Sequence, residues 1–346
     1  MGSGGGSRCR GAAPACRRGV VPADRPRGGQ APASPAQPVP AGPVSASPGE
    51  RLAVERILGS PVVAATLARW GFTNRTTLAT LADGRRVAVQ RLADRNAARR
   101  RLRLGSPLAA RLAAAGVPTA PLLGGDAEAT PPYVIHAAVA GDNGAEWLAG
   151  ERGAVRLARL MGALAARLAV VDARGLRLPA TWADPARLAR ASRVRLARSS
   201  PRLDAATVRV LHAAIEGLEP LFAGRRPAFA HGDFAPVNVL VTRRPGGRGW
   251  AVAALLDLEW ARLADPLFDV AWWGWVVRFH HPERWAAAWP ALLAAAGAAG
   301  EAERAPAAFA DRIRTLQLLR LLELADRSRA RSAADWPARL AATAGW

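Results

Sequence analysis

The feature that most constrains this chain is a set of three oxygen-bearing side chains at the ends of apolar segments. Residues 230–241 read AHGDFAPVNVLV, so Asp233 stands five residues before Asn238, and Asn238 opens an apolar strand. Residues 253–259 read AALLDLE and set Asp257 at the end of a second apolar strand. We predict that two hairpin strands bring Asp233, Asn238 and Asp257 to one edge.

The chemistry of these three side chains points to phosphoryl transfer. An amide oxygen and a carboxylate on rigid strands suit Mg²⁺, which favours all-oxygen ligands, so Asn238 and Asp257 are the candidate metal ligands. Asp233 then remains to accept a proton from an incoming hydroxyl. The alternative reading makes Asp233 and Asn238 turn residues and Asp257 the cap of a strand.

The charge of the chain admits two readings. The formal net charge is +21 over 346 residues, and all 48 basic residues are arginine. Such a charge would suit nucleic acid or an anionic membrane, but the arginines are scattered along the chain, which favours a coding bias. We therefore expect no specific nucleic-acid partner. We also expect no membrane partner, because the longest uncharged apolar run, residues 285–300, is too short to span one.

The chain divides by composition. Residues 1–50 are rich in Gly, Pro, Ala and Arg, so we expect a disordered tail. Its two cysteines, Cys9 and Cys16, are the only ones in the chain, which fits a cytoplasmic protein. Residues 51–140 read as a small strand-rich lobe, with strands at 62–69, 76–81, 86–92 and 133–139 and a helix at 96–115. Residues 141–346 read as a larger, mainly helical lobe, with a hinge near 139–144.

The motif around Asp233 and Asp257, together with residues 264–273 (ADPLFDVAWW), resembles the aminoglycoside phosphotransferase and choline kinase-like family. The resemblance covers residues 55–330. It implies an α+β, protein-kinase-like two-lobed fold and the transfer of phosphate from ATP, with Mg²⁺, to a hydroxyl of a small molecule. It also implies that His231 braces the catalytic loop, whereas Asp269 reads as a cap for the helix that begins at 270.

The N-lobe is expected to bind the nucleotide. Residues 71–76 (GFTNRT) resemble the family's turn over the phosphates, in which Thr73 and Asn74 contact phosphate oxygens. Kinase-like folds also place a cation on the third strand, next to a glutamate of the following helix. Here that strand offers Gln90 and Arg91, which point to opposite faces, with Arg91 slightly favoured. The following helix has no glutamate.

The strand at 133–139 leads to the hinge, so backbone groups near His136 and Ala138 are expected to meet the adenine ring. Trp260, Trp272 and Trp273 follow the metal motif, where they either wall the acceptor pocket or pack in the core. The prediction is an ATP- and Mg²⁺-dependent kinase of a small molecule. The alternatives are a nucleotide-binding pseudokinase with a regulatory role and, in the same class, a kinase that inactivates an aminoglycoside or macrolide antibiotic.

Overall fold

The structure is a computed structural model that describes residue 1 and residues 48–69, 75–92, 94–327 and 335–346. The predicted tail at 1–50 lies almost wholly outside the described residues. The elements below belong to one compact unit, Pro38–Trp346.

The N-lobe is built on an antiparallel sheet that follows helix α1 (Pro48–Leu58). Within the described residues the sheet has the order β1-β2-β3-β5-β4. Its strands are β1 (Val62–Leu67), β2 (Thr76–Leu81), β3 (Arg86–Arg91), β4 (Leu122–Asp126) and β5 (Tyr133–Ala137). The predicted strands recur with ends within two residues. Strand β4 was missed because its sequence, LLGGD, holds two glycines and little β-branched character.

One face of this sheet forms a small apolar core with α1. Val87 and Val89 of β3 point into it together with Leu81 and Ile135, and all four are 1% exposed or less. Because side chains alternate along a strand, Ala88 and Gln90 point to the opposite face. The sheet therefore has one face for the core and one face for the C-lobe.

Helix α2 (Arg95–Ala114) connects β3 to β4 and packs against the sheet. Asp94 caps its start by accepting the backbone N–H of Ala97 at 2.8 Å. Pro107 lies inside the helix without ending it. The helix also contacts a short 3₁₀ turn at Leu258–Trp260, next to the predicted metal motif.

The C-lobe is mainly helical and is interrupted by short strands. Its helices are α3 (Glu151–Ala169), α4 (Pro185–Ser199), α5 (Ala205–Glu216), α6 (Leu218–Phe222), α7 (Phe268–His280), α8 (Pro282–Ala295), α9 (Ala299–Arg304), α10 (Pro306–Arg327) and α11 (Asp335–Ala344). Helices α5 and α6 follow each other directly, and Gly217 between them is the C-cap of α5. None of the helices among the described residues is long and apolar enough to cross a membrane.

Two small sheets hold the segments that carry the motif. Strands β6 (Asp142–Asn143), β8 (Val239–Arg243) and β9 (Trp250–Leu255) form one, and β7 (Ala228–Ala230) and β10 (Arg262–Ala264) form the other. Strands β8 and β9 make the expected hairpin, with Val239 opposite Leu255. This register sets Asn238 beside Leu256, so the start of β8 and the end of β9 meet at one edge.

Candidate active site

A cavity of about 620 Å³ lies between the N-lobe sheet and the C-lobe. Most of the described residues that the sequence selected line it: Gln90, His136, Ala138, Asp233, Asn238 and Asp257. Thr73 and Asn74, the predicted phosphate-loop residues, lie outside the described residues. The candidate site is therefore a cleft between the lobes, with the predicted base and metal ligands on its C-lobe side.

The loop after β7 is fixed by a buried histidine. His231 is fully buried, and its Nε2 donates to the carbonyl oxygen of Leu256 at 2.7 Å. Its Nδ1 accepts the backbone N–H of Asp233 at 3.2 Å. The ring thus joins the Asp233 loop to the residue before Asp257, which is the contact that a bracing role requires.

The buried carboxylate of Asp269 also holds this loop. Its Oδ2 accepts the backbone N–H of His231 at 2.7 Å and its Oδ1 accepts that of Gly232 at 3.0 Å. Burial raises the pKa of Asp269 above its ordinary value, and these two N–H donors act in the opposite direction. The expectation that Asp269 caps α7 is wrong. The helix begins at Phe268, so Asp269 lies in its first turn, and its side chain bonds to the loop.

The carboxylate of Asp233 is held on both sides. The indole Nε1 of Trp272 donates to Oδ1 at 2.8 Å, and Nδ2 of Asn238 donates to Oδ2 at 3.1 Å. The same Nδ2 also donates to the Asp233 carbonyl oxygen at 2.8 Å. These bonds fix the orientation of a half-buried carboxylate at the cleft wall, and they use Nδ2 of Asn238, which leaves its side-chain oxygen as the atom that could bind a metal.

Asn238 and Asp257 are joined through the backbone. The N–H of Leu256 donates to the carbonyl oxygen of Asn238 at 2.9 Å, so the two candidate ligands lie on adjoining segments. Asp257 has a left-handed backbone, with φ of 62°, which is uncommon for a residue other than glycine. Burial raises the pKa of Asp257, opposed chiefly by the nearby Arg101 guanidinium. Strained, desolvated carboxylates of this kind cluster at functional sites.

The donor set fits Mg²⁺. The carboxylates of Asp257 and Glu259 converge on one positive group, the Arg101 guanidinium, so this part of the cleft already attracts a cation. With the Asn238 amide oxygen they offer only oxygen atoms, as Mg²⁺ prefers. Glu259 contacts Arg101 Nη2 through Oε2 at 2.9 Å.

Arg101 is a charged residue of the cleft that the sequence did not indicate. It lies on α2, its side chain is 9% exposed, and it contacts Asp257, Glu259 and Gln90. Gln90 lines the cleft and Arg91 does not, so the slight preference for Arg91 has no support from the geometry. The sequence shows that α2 has no glutamate, but it does not show which arginine of this helix faces the cleft.

The hinge strand differs in detail from the expectation. The backbone N–H of Ala138 donates to the carbonyl oxygen of Arg86, and that of Ala137 donates to the carbonyl oxygen of Pro121, both at 2.9 Å. These two donors are therefore used within the N-lobe. His136 Nδ1 lies 3.2 Å from the carbonyl oxygen of Ala120, and burial lowers the pKa of the ring. The next hinge residues along the cleft are Val139, Ala140 and Gly141.

The three tryptophans near the motif have different surroundings. Trp273 is fully buried and donates to the Met161 sulfur at 3.0 Å, so it packs in the core. Trp272 contacts Asp233, and Trp260 is half-buried with the Arg320 guanidinium 4.3 Å from its ring centre. Of the two readings, core packing holds for Trp273, whereas Trp272 bonds to the predicted base.

The family model of the phosphotransferase enzyme family matches residues 64–309. The chain belongs to this family, and the prediction of a phosphotransferase is confirmed. No curated protein matches the chain by sequence.

Solved structures agree with the fold, at low sequence identity. The GDP complex of aminoglycoside 2'-phosphotransferase-IIIa superposes with a TM-score of 0.66 at 14% identity, covering 86% of this chain and 98% of that one. Macrolide 2'-phosphotransferase type I gives 0.60 at 16%, covering 86% and 98%. A choline kinase from Streptococcus pneumoniae gives 0.57 at 15%, covering 86% and 99%. The predicted kinase-like, two-lobed α+β fold is confirmed.

Proposed function

We propose that this protein transfers the γ-phosphoryl group of ATP to a hydroxyl of a small molecule, with Asp233 as the base and Asn238 and Asp257 as the Mg²⁺ ligands. The observation that carries the proposal is the oriented carboxylate of Asp233 in the interlobe cleft. Both of its oxygens accept a hydrogen bond, from Trp272 and from Asn238, and the second candidate ligand, Asp257, lines the same cavity.

The role of Asp233 follows from its surroundings. Two N–H donors hold the carboxylate in one orientation at the cleft wall, where it can accept the proton of a bound hydroxyl. As the acceptor oxygen bonds to the γ-phosphorus, the bond to the β–γ bridging oxygen breaks and the hydroxyl proton passes to Asp233. The nucleoside diphosphate leaves with the bridging oxygen. Because Trp272 and Asn238 fix the carboxylate, the hydroxyl can be held in line with the bond that breaks.

The amide oxygen of Asn238 and the carboxylate of Asp257 would hold Mg²⁺. When bound, it neutralises the charge of the polyphosphate. The chain's own part is positional. The Leu256 N–H to Asn238 bond and the His231 ring keep the two ligand segments together.

The nucleotide is proposed to lie along the N-lobe face of the cleft. Gln90 and the hinge from His136 to Gly141 line that face, and Thr73 and Asn74 remain the proposed phosphate-loop residues. A related structure holds GDP, so both ATP and GTP belong in the assay as donors. Aminoglycosides, macrolides and choline, named for the related proteins, belong in the acceptor panel.

The test is a screen of small hydroxylic acceptors with ATP labelled in its γ-phosphate, run with wild type and Asp233→Asn. We expect a labelled product from wild type and a loss of about 10²–10⁴-fold in the variant, with nucleotide affinity retained. Asp311→Asn removes an exposed carboxylate on α10 and is the matched control. Transfer by Asp233→Asn at the wild-type rate would contradict the proposal. Nucleotide binding without transfer to any acceptor would favour the pseudokinase.

A further inference from the structure

We propose that Arg101 of helix α2 binds the nucleotide phosphates in this protein, in place of a cation on strand β3. The inference rests on the proposed function, because it concerns the same cleft. It assigns to the helix the positive charge that kinase-like sites take from the strand.

Strand β3 offers no cation at the depth of the candidate metal ligands. Arg86, Ala88 and Gln90 alternate along its cleft face, while Val87 and Val89 point into the N-lobe core. Arg86 is exposed at the start of the strand, next to the hinge. Gln90 is the one of the three that contacts Arg101, and it is neutral, so it cannot balance the charge of a triphosphate.

Helix α2 supplies the missing charge from the other side. The Arg101 Nη1 donates to the side-chain oxygen of Gln90, which ties the helix to the strand. In the usual pair the strand carries the cation and the helix the acceptor. Here the two roles are exchanged, since the helix carries the guanidinium and the strand carries the amide oxygen. This exchange explains both differences from the usual kinase-like pair: the strand residue is neutral, and the helix has no glutamate.

The position of Arg101 relative to Asp257 places it near the phosphates. Asp257 is the proposed Mg²⁺ ligand and Arg101 contacts its carboxylate, so the guanidinium lies where the phosphates of a nucleotide held with Mg²⁺ would be. A guanidinium has five N–H donors and matches phosphate geometry with two parallel bonds. Its contacts to Gln90, Asp257 and Glu259 use Nη1 and Nη2. The Nε atom is buried and has no partner among the described residues.

The other arginines along the described cleft are less suited to this role. Arg69 is 61% exposed and pairs with Glu146 at 3.6 Å. The Nη2 of Arg100 donates to the backbone oxygen of Glu259 at 2.6 Å, so the Arg100 side chain supports the segment that carries Asp257. Arg101 is the one of these that contacts the β3 side chain and the metal-site carboxylates together.

The test measures the affinity of ATP, ADP and adenosine, each with Mg²⁺, by calorimetry. We expect Arg101→Met to weaken ATP and ADP by about tenfold or more and to leave adenosine within about twofold, because only the first two carry phosphate. Arg99→Met is the matched control: it removes the same charge from a 56% exposed side chain on the same helix, paired with Glu128. We expect it to leave all three affinities within about twofold.

The possible results separate the two proposals. If wild type binds ATP and Arg101→Met binds it equally well, the assignment of Arg101 is wrong and the proposed function stands. If wild type binds no nucleotide, the proposed function fails and Arg101 fails with it. Equal losses for ATP and adenosine would show a structural role and would also overturn the assignment.

A second measurement covers the case in which Arg101→Met does not fold. Crystals of wild type grown with ADP and Mg²⁺ report the same contact directly. A guanidinium hydrogen-bonded to a phosphate oxygen supports the proposal. A guanidinium bonded only to Asp257, Glu259 and Gln90 contradicts it.

Discussion

The indole N–H of Trp272 lies 2.8 Å from Oδ1 of Asp233, so a residue of helix α7 orients the candidate base from 39 positions further along the chain. Asn238 holds the other oxygen of the same carboxylate. Trp272 in turn stacks on Trp275 at 4.8 Å between ring centres. The base is therefore positioned by the C-lobe core as well as by its own loop.

Replacing Trp272 by phenylalanine keeps an aromatic ring and removes this donor. A hydrogen bond to a charged group contributes about 1.5–3 kcal/mol, so we expect kcat to fall by about 10–100-fold with little change in nucleotide affinity. Steady-state kinetics on the acceptor found in the screen measure this. Trp273→Phe is the control, because its N–H bonds to Met161 and not to Asp233. Equal kcat values for the two variants would contradict the role given to Trp272.

The parts of the site that the sequence predicted are those encoded within a short stretch. Asp233, Asn238 and Asp257 fall within 25 residues, and the last two flank the β8–β9 hairpin, so strand periodicity predicts that these two ligand segments meet. Arg101 stands 156 positions before Asp257, and nothing in its local pattern marks it among the arginines of α2. Its role depends on how the helix packs across the cleft.

The misread positions have the same origin. Asp269 fits the pattern of a helix cap, and only the tertiary fold shows that two loop N–H groups donate to its carboxylate. Strand β4 has two glycines and pairs with β5 although its propensity is weak. The two-lobed fold could be predicted because the N-lobe sequence has the periodicity of strands and much of the C-lobe sequence has that of helices.

Gly232, between His231 and Asp233, has a left-handed backbone with φ of +86°, and a Cβ there would collide with the backbone oxygen of Trp260. We expect Gly232→Ala to displace the loop and to lower both the free energy of unfolding, by more than about 2 kcal/mol, and the activity. Urea unfolding and transfer assays measure these two effects.

Gly84 is a closely matched control for this variant. Its φ is +84°, and a Cβ at this position meets nothing within 4 Å, because the residue lies in the exposed β2–β3 turn. We expect Gly84→Ala to cost only the backbone strain, about 1 kcal/mol, and to leave transfer unchanged. If the two variants lose the same stability and activity, the contact with Trp260 is not what makes glycine necessary at 232.

Glu323 of α10 joins three elements of the C-lobe through buried charge. It is 3% exposed, and its carboxylate accepts Arg320 at 2.7 Å, Arg262 at 2.8 Å and Arg195 at 3.3 Å. Burial alone would raise the pKa of Glu323, but these guanidinium groups outweigh it and lower the pKa to about 2. The carboxylate is thus the shared counter-charge of α4, β10 and α10.

The lowered pKa fixes the sign of the pH dependence. The folded state holds the proton less tightly than the unfolded chain, whose ordinary value is 4.5, so the stabilisation is fully present above that value. It is lost as the pH falls from 4.5 towards 2. At neutral pH the shift corresponds to roughly 3 kcal/mol of the free energy of unfolding.

Glu323→Gln leaves the arginines buried without their counter-charge, so we expect a loss of about 3–5 kcal/mol at neutral pH. The gap between wild type and variant is expected to narrow as the pH falls below 4.5, since wild type loses the same interaction by protonation. Urea unfolding over that range measures the gap. For Glu303→Gln, at an exposed position of α9, we expect the difference in unfolding free energy from wild type to be near zero at each pH. A gap for Glu323→Gln that stays constant down to about pH 3 would show that the charge of Glu323 is not what stabilises this cluster.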